Sequence, residues 1–158
     1  MTDFGREDRK DGIEYAVSAC LCGIRCRYDG NDNCIPRVKE LYESGKAVPV
    51  CPEVMGGMPT PREPSEINGS RVMNKAGEDV TEYFEKGAEA ALEICLRHNI
   101  KKAILKQNSP SCGSKYIYDG TFSGRLTEGK GIAARLFSEN GIEVFDEHAE
   151  FLQKFYEI

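Results

Sequence analysis

Four short apolar runs punctuate the chain: "YAVSAC" (Tyr15 to Cys20), "KAVPVC" (Lys46 to Cys51), "KKAILKQ" (Lys101 to Gln107) and "IEVFDE" (Ile142 to Glu147). Between them lie stretches with helical periodicity. In "IPRVKELYESG", Ile35, Val38, Leu41 and Tyr42 share a face, Pro36 suits a first turn and Gly45 a stop. In "DVTEYFEKGAEAALEICLRHN", Val80, Tyr83, Phe84, Ala88, Ala91, Leu92 and Cys95 form one apolar stripe. "TEGKGIAARLFSENG" reads as a helix ended by Gly141, and "HAEFLQKFYEI" as a last one. Strands that alternate with helices need a mainly parallel sheet covered on both faces, with right-handed crossovers. The pattern therefore predicts a single three-layer α/β/α domain, Rossmann-like, over residues 15–158. Its strands near 15–19, 47–50, 103–106 and 142–145 should be neighbours or near neighbours. "PEVMGGMPTPREPSEINGS" holds too many breakers for a regular element. Residues 1–14 are polar, lack the apolar core of a secretory signal, and read as a flexible lead-in.

At 158 residues, with 40% hydrophobic and 30% charged content, the chain has room for one sizeable core. Its net charge of −5 argues against a nucleic-acid polymer or an acidic membrane surface as partner. No apolar run approaches the ~20 residues of a membrane span. A small molecule is the expected partner, and oligomeric state is not legible. With no secretory signal the expected compartment is the reducing cytoplasm, where stable disulfides are rare. The seven cysteines are then read as metal-binding or catalytic. Only His98 and His148 are available, both in helical stretches, so a Cys/His zinc site or a Cys–His pair has little material.

Cys20, Cys51 and Cys112 each follow a predicted strand. The carboxyl ends of parallel strands lie along one edge, where ligands bind. Three cysteines remote in sequence thus converge, as a metal or cluster site requires. Cys95 lies on an apolar helix face and reads as core, and Cys34 has no assigned role. Cys22 and Cys26 either join Cys20 as local ligands or line its loop. Glu53 and Ser109 stand two and three residues from Cys51 and Cys112. Alone, each reads as a solvated loop acid and a turn or cap residue. Beside convergent cysteines, and with Gly56 and Gly57 permitting close backbone approach, they join the candidate site.

The motifs "VSACLCGIRCRYDG", "VPVCPEVMGGMPTPREPSEI", "AILKQNSPSCGSKYIYDGTFSGRL" and "GKGIAARLFSENGIEVFDE" closely resemble the 2-thiouracil desulfurase family, long known as the domain of unknown function numbered 523. The resemblance runs from about Tyr15 to about Glu147. It implies a 4Fe–4S cluster held by Cys20, Cys51 and Cys112, with one iron open, and subject to loss or replacement in aerobic handling. It implies catalytic roles for Glu53 and Ser109. The implied reaction is a non-redox, hydrolase- or lyase-type desulfuration, C=S to C=O, of a thiolated pyrimidine such as 2-thiouracil, with release of sulfide. A fourth thiolate would fill the open iron, so Cys22 and Cys26 are expected not to be ligands. Arg25, Arg27 and Arg62 either hold the base carbonyl or are merely solvated. Two other readings are a non-enzymatic zinc or Fe–S binding module with a structural or sensing role, and a redox sensor built on the C-x3-C pair Cys22/Cys26. The natural substrate is open among a free base, a nucleoside and another thioamide.

Overall fold

A computed structural model describes residues 12–153; most of the expected lead-in and the end of the last expected helix lie outside the described residues. Among the described residues eight strands form: β1 (Tyr15–Ser18), β2 (Ala47–Val50), β3 (Ser65–Asn68), β4 (Arg71–Asn74), β5 (Lys102–Ile104), β6 (Tyr116–Tyr118), β7 (Leu126–Glu128) and β8 (Glu143–Phe145). Four of them make the central parallel sheet, in the order β2-β1-β5-β8. These are the four apolar runs of the sequence.

Side chains alternate across this sheet, so each strand feeds two cores. Ala16 and Ala103 face one core with Ala91, Cys95 and Phe137, which come from the helices Thr81–Arg97 and Ile132–Glu139. Val17 and Ile104 face the other, with Val38 and Leu41 of the Pro36–Glu43 helix and Leu152 of the Glu150–Gln153 helix. Phe151 stacks on Tyr15 and meets Phe145 edge-on, which pins the last helix to its face. The helix between β1 and β2 and the helix between β2 and β5 lie on opposite faces. Crossovers of one hand demand this, because the first runs outward from β1 and the second returns across it. The chain thus reverses direction between β1 and β5. A crevice opens at such a switch point, beyond the carboxyl ends of the strands.

Two antiparallel hairpins stand outside the sheet. β3 pairs with β4, and β6 with β7. The first corrects the reading of the Pro/Gly stretch as irregular. Pro52–Met55 is a short helix there, and Ser65–Asn68 is a strand that turns at Gly69-Ser70, with Gly69 at φ +65°. Glycine at the first position of a two-residue loop, followed here by Ser70, is a hairpin signal in its own right. Likewise, the helix expected from "TEGKGIAARLFSENG" spans only Ile132–Glu139, because Thr127 and Glu128 pair in β7.

Candidate active site

Three of the four sheet strands deliver a cysteine to the crevice. After β1 the chain tightens into a 3-10 turn, Ala19–Cys22, which carries Cys20. After β2, Cys51 immediately precedes the Pro52–Met55 helix. After β5, the loop 105–115 folds back and carries Cys112. All three line one cavity of about 470 Å³, a volume typical of small-molecule sites. Glu53 and Ser109 line it too. The five residues singled out from the sequence are therefore brought together. Cys95 is fully buried between helix and sheet, away from the cavity.

Cys22 and Cys26, the other two cysteines of the Cys20 segment, take different places. Cys22 is buried in the 3-10 turn, donates to the Ala19 carbonyl (3.2 Å), and is not part of the cavity lining. Burial pushes its thiol up to about 11. Cys26, expected to stand outside the ligand set, lines the cavity and hydrogen-bonds both Cys20 and Cys51. The contact holds the Cys26 proton in place, raising its pKa, and favours the thiolate on its neighbours. Cys51 is lowered to about 7, by Cys26 first and by the Val54 backbone N–H and Arg62 with it. Cys20 is lowered by Cys26 and, beyond it, by the Asn33 amide. Cys112 is pushed up to about 12 by burial, which the hydroxyls of Ser18 and Ser111 only partly offset. No group of three His, Cys, Asp or Glu residues among the described ones is arranged to hold a single metal ion. Thiol donors suit zinc and iron–sulfur clusters alike; thiols spread along a cavity wall, and not gathered about one point, fit a multi-iron cluster.

Facing the cysteines is a hydrogen-bonded acid. Glu53 Oε1 accepts from Arg62 Nε (3.0 Å), and Oε2 accepts from the Ser111 hydroxyl (3.1 Å). The Arg62 and Glu53 side chains are 5% and 15% exposed, so the pair is partly dehydrated and held. Arg62 also donates to the Cys26 carbonyl (2.8 Å) and to Pro59 O and Thr60 Oγ1, which fixes its fork. Its role is to orient Glu53 and to tie the Cys26 loop to the 59–62 loop. Arg27 pairs with Asp29 (3.0 Å), and neither of these arginines is simply solvated.

The Ser109 hydroxyl oxygen accepts from the backbone N–H groups of Ser111 and Cys112, both at 3.1 Å. It lies 2.9 Å from the Ser111 hydroxyl. Ser109, Ser111 and Glu53 thus form one continuous chain of hydrogen bonds. Ser111 is the residue that sequence reasoning missed. Its place in "SPSCG" was visible, but only the loop conformation aims its hydroxyl at Glu53. That conformation is set by Gln107, whose Oε1 accepts from the backbone N–H groups of Ser114, Lys115 and Tyr116 at 3.1–3.2 Å, and whose Nε2 donates to Asp146 (2.8 Å). On the far wall, Glu66 of β3 accepts from Gly120 N (2.9 Å) and Phe122 N (3.1 Å) and so holds the 119–124 turn against the cavity.

The chain is also similar to known proteins. A family model described as 2-thiouracil desulfurase matches residues 15–149. A solved structure described as the [4Fe-4S]-dependent thiouracil desulfidase TudS superposes with a TM-score of 0.85 at 43% identity, covering 92% of this chain and 98% of that one. An uncharacterised Bacillus subtilis (strain 168) protein, YbbK, is 43% identical over 142 residues, which is 84% of this chain and 94% of its own.

Proposed function

The chain belongs to the 2-thiouracil desulfurase family, and from that premise we propose that its cavity is the active centre of a 4Fe–4S-dependent desulfurase that converts the C=S of thiouracil to C=O and releases sulfide. The observation that carries the reading is the convergence of three strand-end cysteines with a hydrogen-bonded carboxylate in one small-molecule cavity. Cys20, Cys51 and Cys112 are the proposed ligands. Bound there, the cluster supplies an iron with an open position, a Lewis acid for the thiocarbonyl sulfur.

The protein's own groups supply the acid–base chemistry. Water adds to the carbon that bears sulfur, and sulfur leaves as sulfide, so no net electron transfer is needed. Glu53 accepts the water proton. Its Arg62 partner keeps one oxygen occupied, which directs the other toward the cavity side where Ser111 lies. Ser109 accepts from two backbone N–H groups and, because the Ser111 proton goes to Glu53, gives its own proton to the Ser111 oxygen; with substrate bound, that proton turns instead to a ring nitrogen or the departing sulfur. Ser111 joins the two and lets proton positions adjust between them. The partner is a small thiolated base or nucleoside, with no role for a nucleic-acid polymer or a membrane, and the site of action is the cytoplasm. No described helix is long and apolar enough to cross a membrane.

The test is turnover. Anaerobically reconstituted protein is expected to convert 2-thiouracil to uracil and sulfide in equal amounts without added reductant. A brown, cluster-loaded protein that leaves 2-thiouracil untouched would move the non-enzymatic binding module to first place.

A further inference from the structure

The segment after Cys26, "RYDGNDN", has no part in the acid–base chemistry, yet it is built back onto Cys20. Arg27 N donates to Asn31 O (3.1 Å) and Gly30 N to Arg27 O (3.0 Å), closing a tight turn with Gly30 at φ +84°. The returning strand of this turn is fastened to the 3-10 turn: Asn33 N donates to the Cys20 carbonyl (3.0 Å) and Ile35 N to the Leu21 carbonyl (2.8 Å). The Asn33 side chain then reaches the sulfur itself, with Nδ2 donating to Cys20 Sγ at 3.4 Å. Its amide cannot be turned the other way without loss, because Oδ1 accepts from Arg27 Nη1 at 3.0 Å. Arg27 is in turn braced by Asp29 (3.0 Å) and lies 5.9 Å from the centre of the Tyr28 ring.

From this geometry we infer that Asn33, oriented by Arg27, is a positioning residue that tunes the cluster through an N–H···S bond to Cys20. The inference rests on the proposed function, in which Cys20 is a ligand. Hydrogen bonds to cluster sulfurs are among the determinants of reduction potential, and outer-shell donors orient and tune the ligands they touch. A donor at Cys20 Sγ draws charge from the thiolate. That stabilises the more negative, reduced cluster and raises the potential. In the resting, oxidised cluster the same withdrawal leaves the open iron more electron-poor, so the device favours polarisation of a bound thiocarbonyl. No other ligand sulfur among the three receives a side-chain N–H donor from the described residues.

The experiment measures the midpoint potential of the anaerobically reconstituted full chain by an electron-spin-resonance titration. Asn33→Leu keeps the size of the side chain and removes its donor. Arg27→Met keeps the packing on Tyr28 and removes the clamp on the amide. Both are expected to shift the midpoint to more negative values, Asn33→Leu further. The iron content of Arg27→Met should match that of the unaltered protein. A merely structural role would lower iron content without moving the potential of the loaded fraction. If Asn33→Leu takes up no cluster, the sign of the Arg27→Met shift decides. Midpoints equal to that of the unaltered protein, or shifted positive, overturn the inference alone. An unaltered protein that assembles no 4Fe–4S cluster overturns the proposed function and this inference with it.

Discussion

At Glu53 the chemistry depends on two hydrogen bonds with different work to do. Arg62 fixes where the carboxylate points, and Ser111 connects it to Ser109. Glu53→Gln deletes the proton acceptor while touching no proposed ligand. It is expected to preserve the absorption spectrum of the cluster and to lower kcat by ~10²–10⁴-fold, the usual range for a general acid–base group. Ser111→Ala should lose less, about tenfold, as expected when one hydrogen bond in a chain is removed. Steady-state kinetics beside iron analysis separates these losses from loss of cofactor. Unchanged turnover in Glu53→Gln would make the carboxylate a bystander. The meeting of Glu53, Ser109 and the three cysteines in one cavity was legible from the sequence because each lies in the segment that follows a strand of the parallel sheet. Ser111 was not, and the contacts of Arg62 and Cys26 were not. Their roles come from how the loops 23–35, 51–64 and 105–115 fold over one another, and no periodicity reports that.

Among the elements, the short Pro52–Met55 helix is what places Cys51 and Glu53, and glycines let it sit down. A Cβ at Gly87 would overlap the Pro52 carbonyl oxygen, and one at Gly56 would overlap the Tyr83 carbonyl. The two helices therefore meet backbone to backbone at Gly56 and Gly87. Gly87→Ala must push them apart. Overpacking of this kind costs about 1–3 kcal/mol, so a clear drop in Tm is expected together with poorer iron retention, because Cys51 moves with its helix. A variant with unchanged Tm would show that the contact is slack. The start of the Thr81–Arg97 helix offers a pH test. Asp79 accepts from the Thr81 hydroxyl (2.6 Å) and backbone N–H (3.0 Å) and from Arg71 Nε (2.7 Å). These contacts, Thr81 foremost, hold its carboxyl down to about 2 against an ordinary 3.8. A depressed carboxyl stabilises the fold above its unfolded pKa and loses that effect as pH falls through the folded one. Asp79→Asn should thus have a lower Tm than the unaltered protein above about pH 4, with the gap closing as pH falls toward 2. A gap independent of pH would mean that the charge contributes nothing. The β3–β4 hairpin shows why the element pattern was only partly readable. Glu66 points inward to hold the 119–124 turn, and Ser65 is buried, so the apolar alternation that announces a strand is missing there. The central strands carry short, mostly apolar runs and were plain.

For the molecule as a whole, strand order converts distance in sequence into proximity. Cys20 and Cys112 are far apart in the chain, yet they leave adjacent strands, β1 and β5, at the switch point, and Cys51 leaves β2 beside them. The central claim is that these three cysteines, one per strand end, hold the cluster and leave one iron open, while Cys26 stands among them as a hydrogen-bonding neighbour. Its position makes it the alternative ligand to test. The most direct measurement is iron and sulfide content after parallel anaerobic reconstitution of Cys20→Ser, Cys51→Ser, Cys112→Ser and Cys26→Ser. The account predicts loss of the cluster in each of the first three, and full content with substantial desulfurase activity in Cys26→Ser. Equal loss of iron in Cys26→Ser, or full retention in any of the other three, would contradict it.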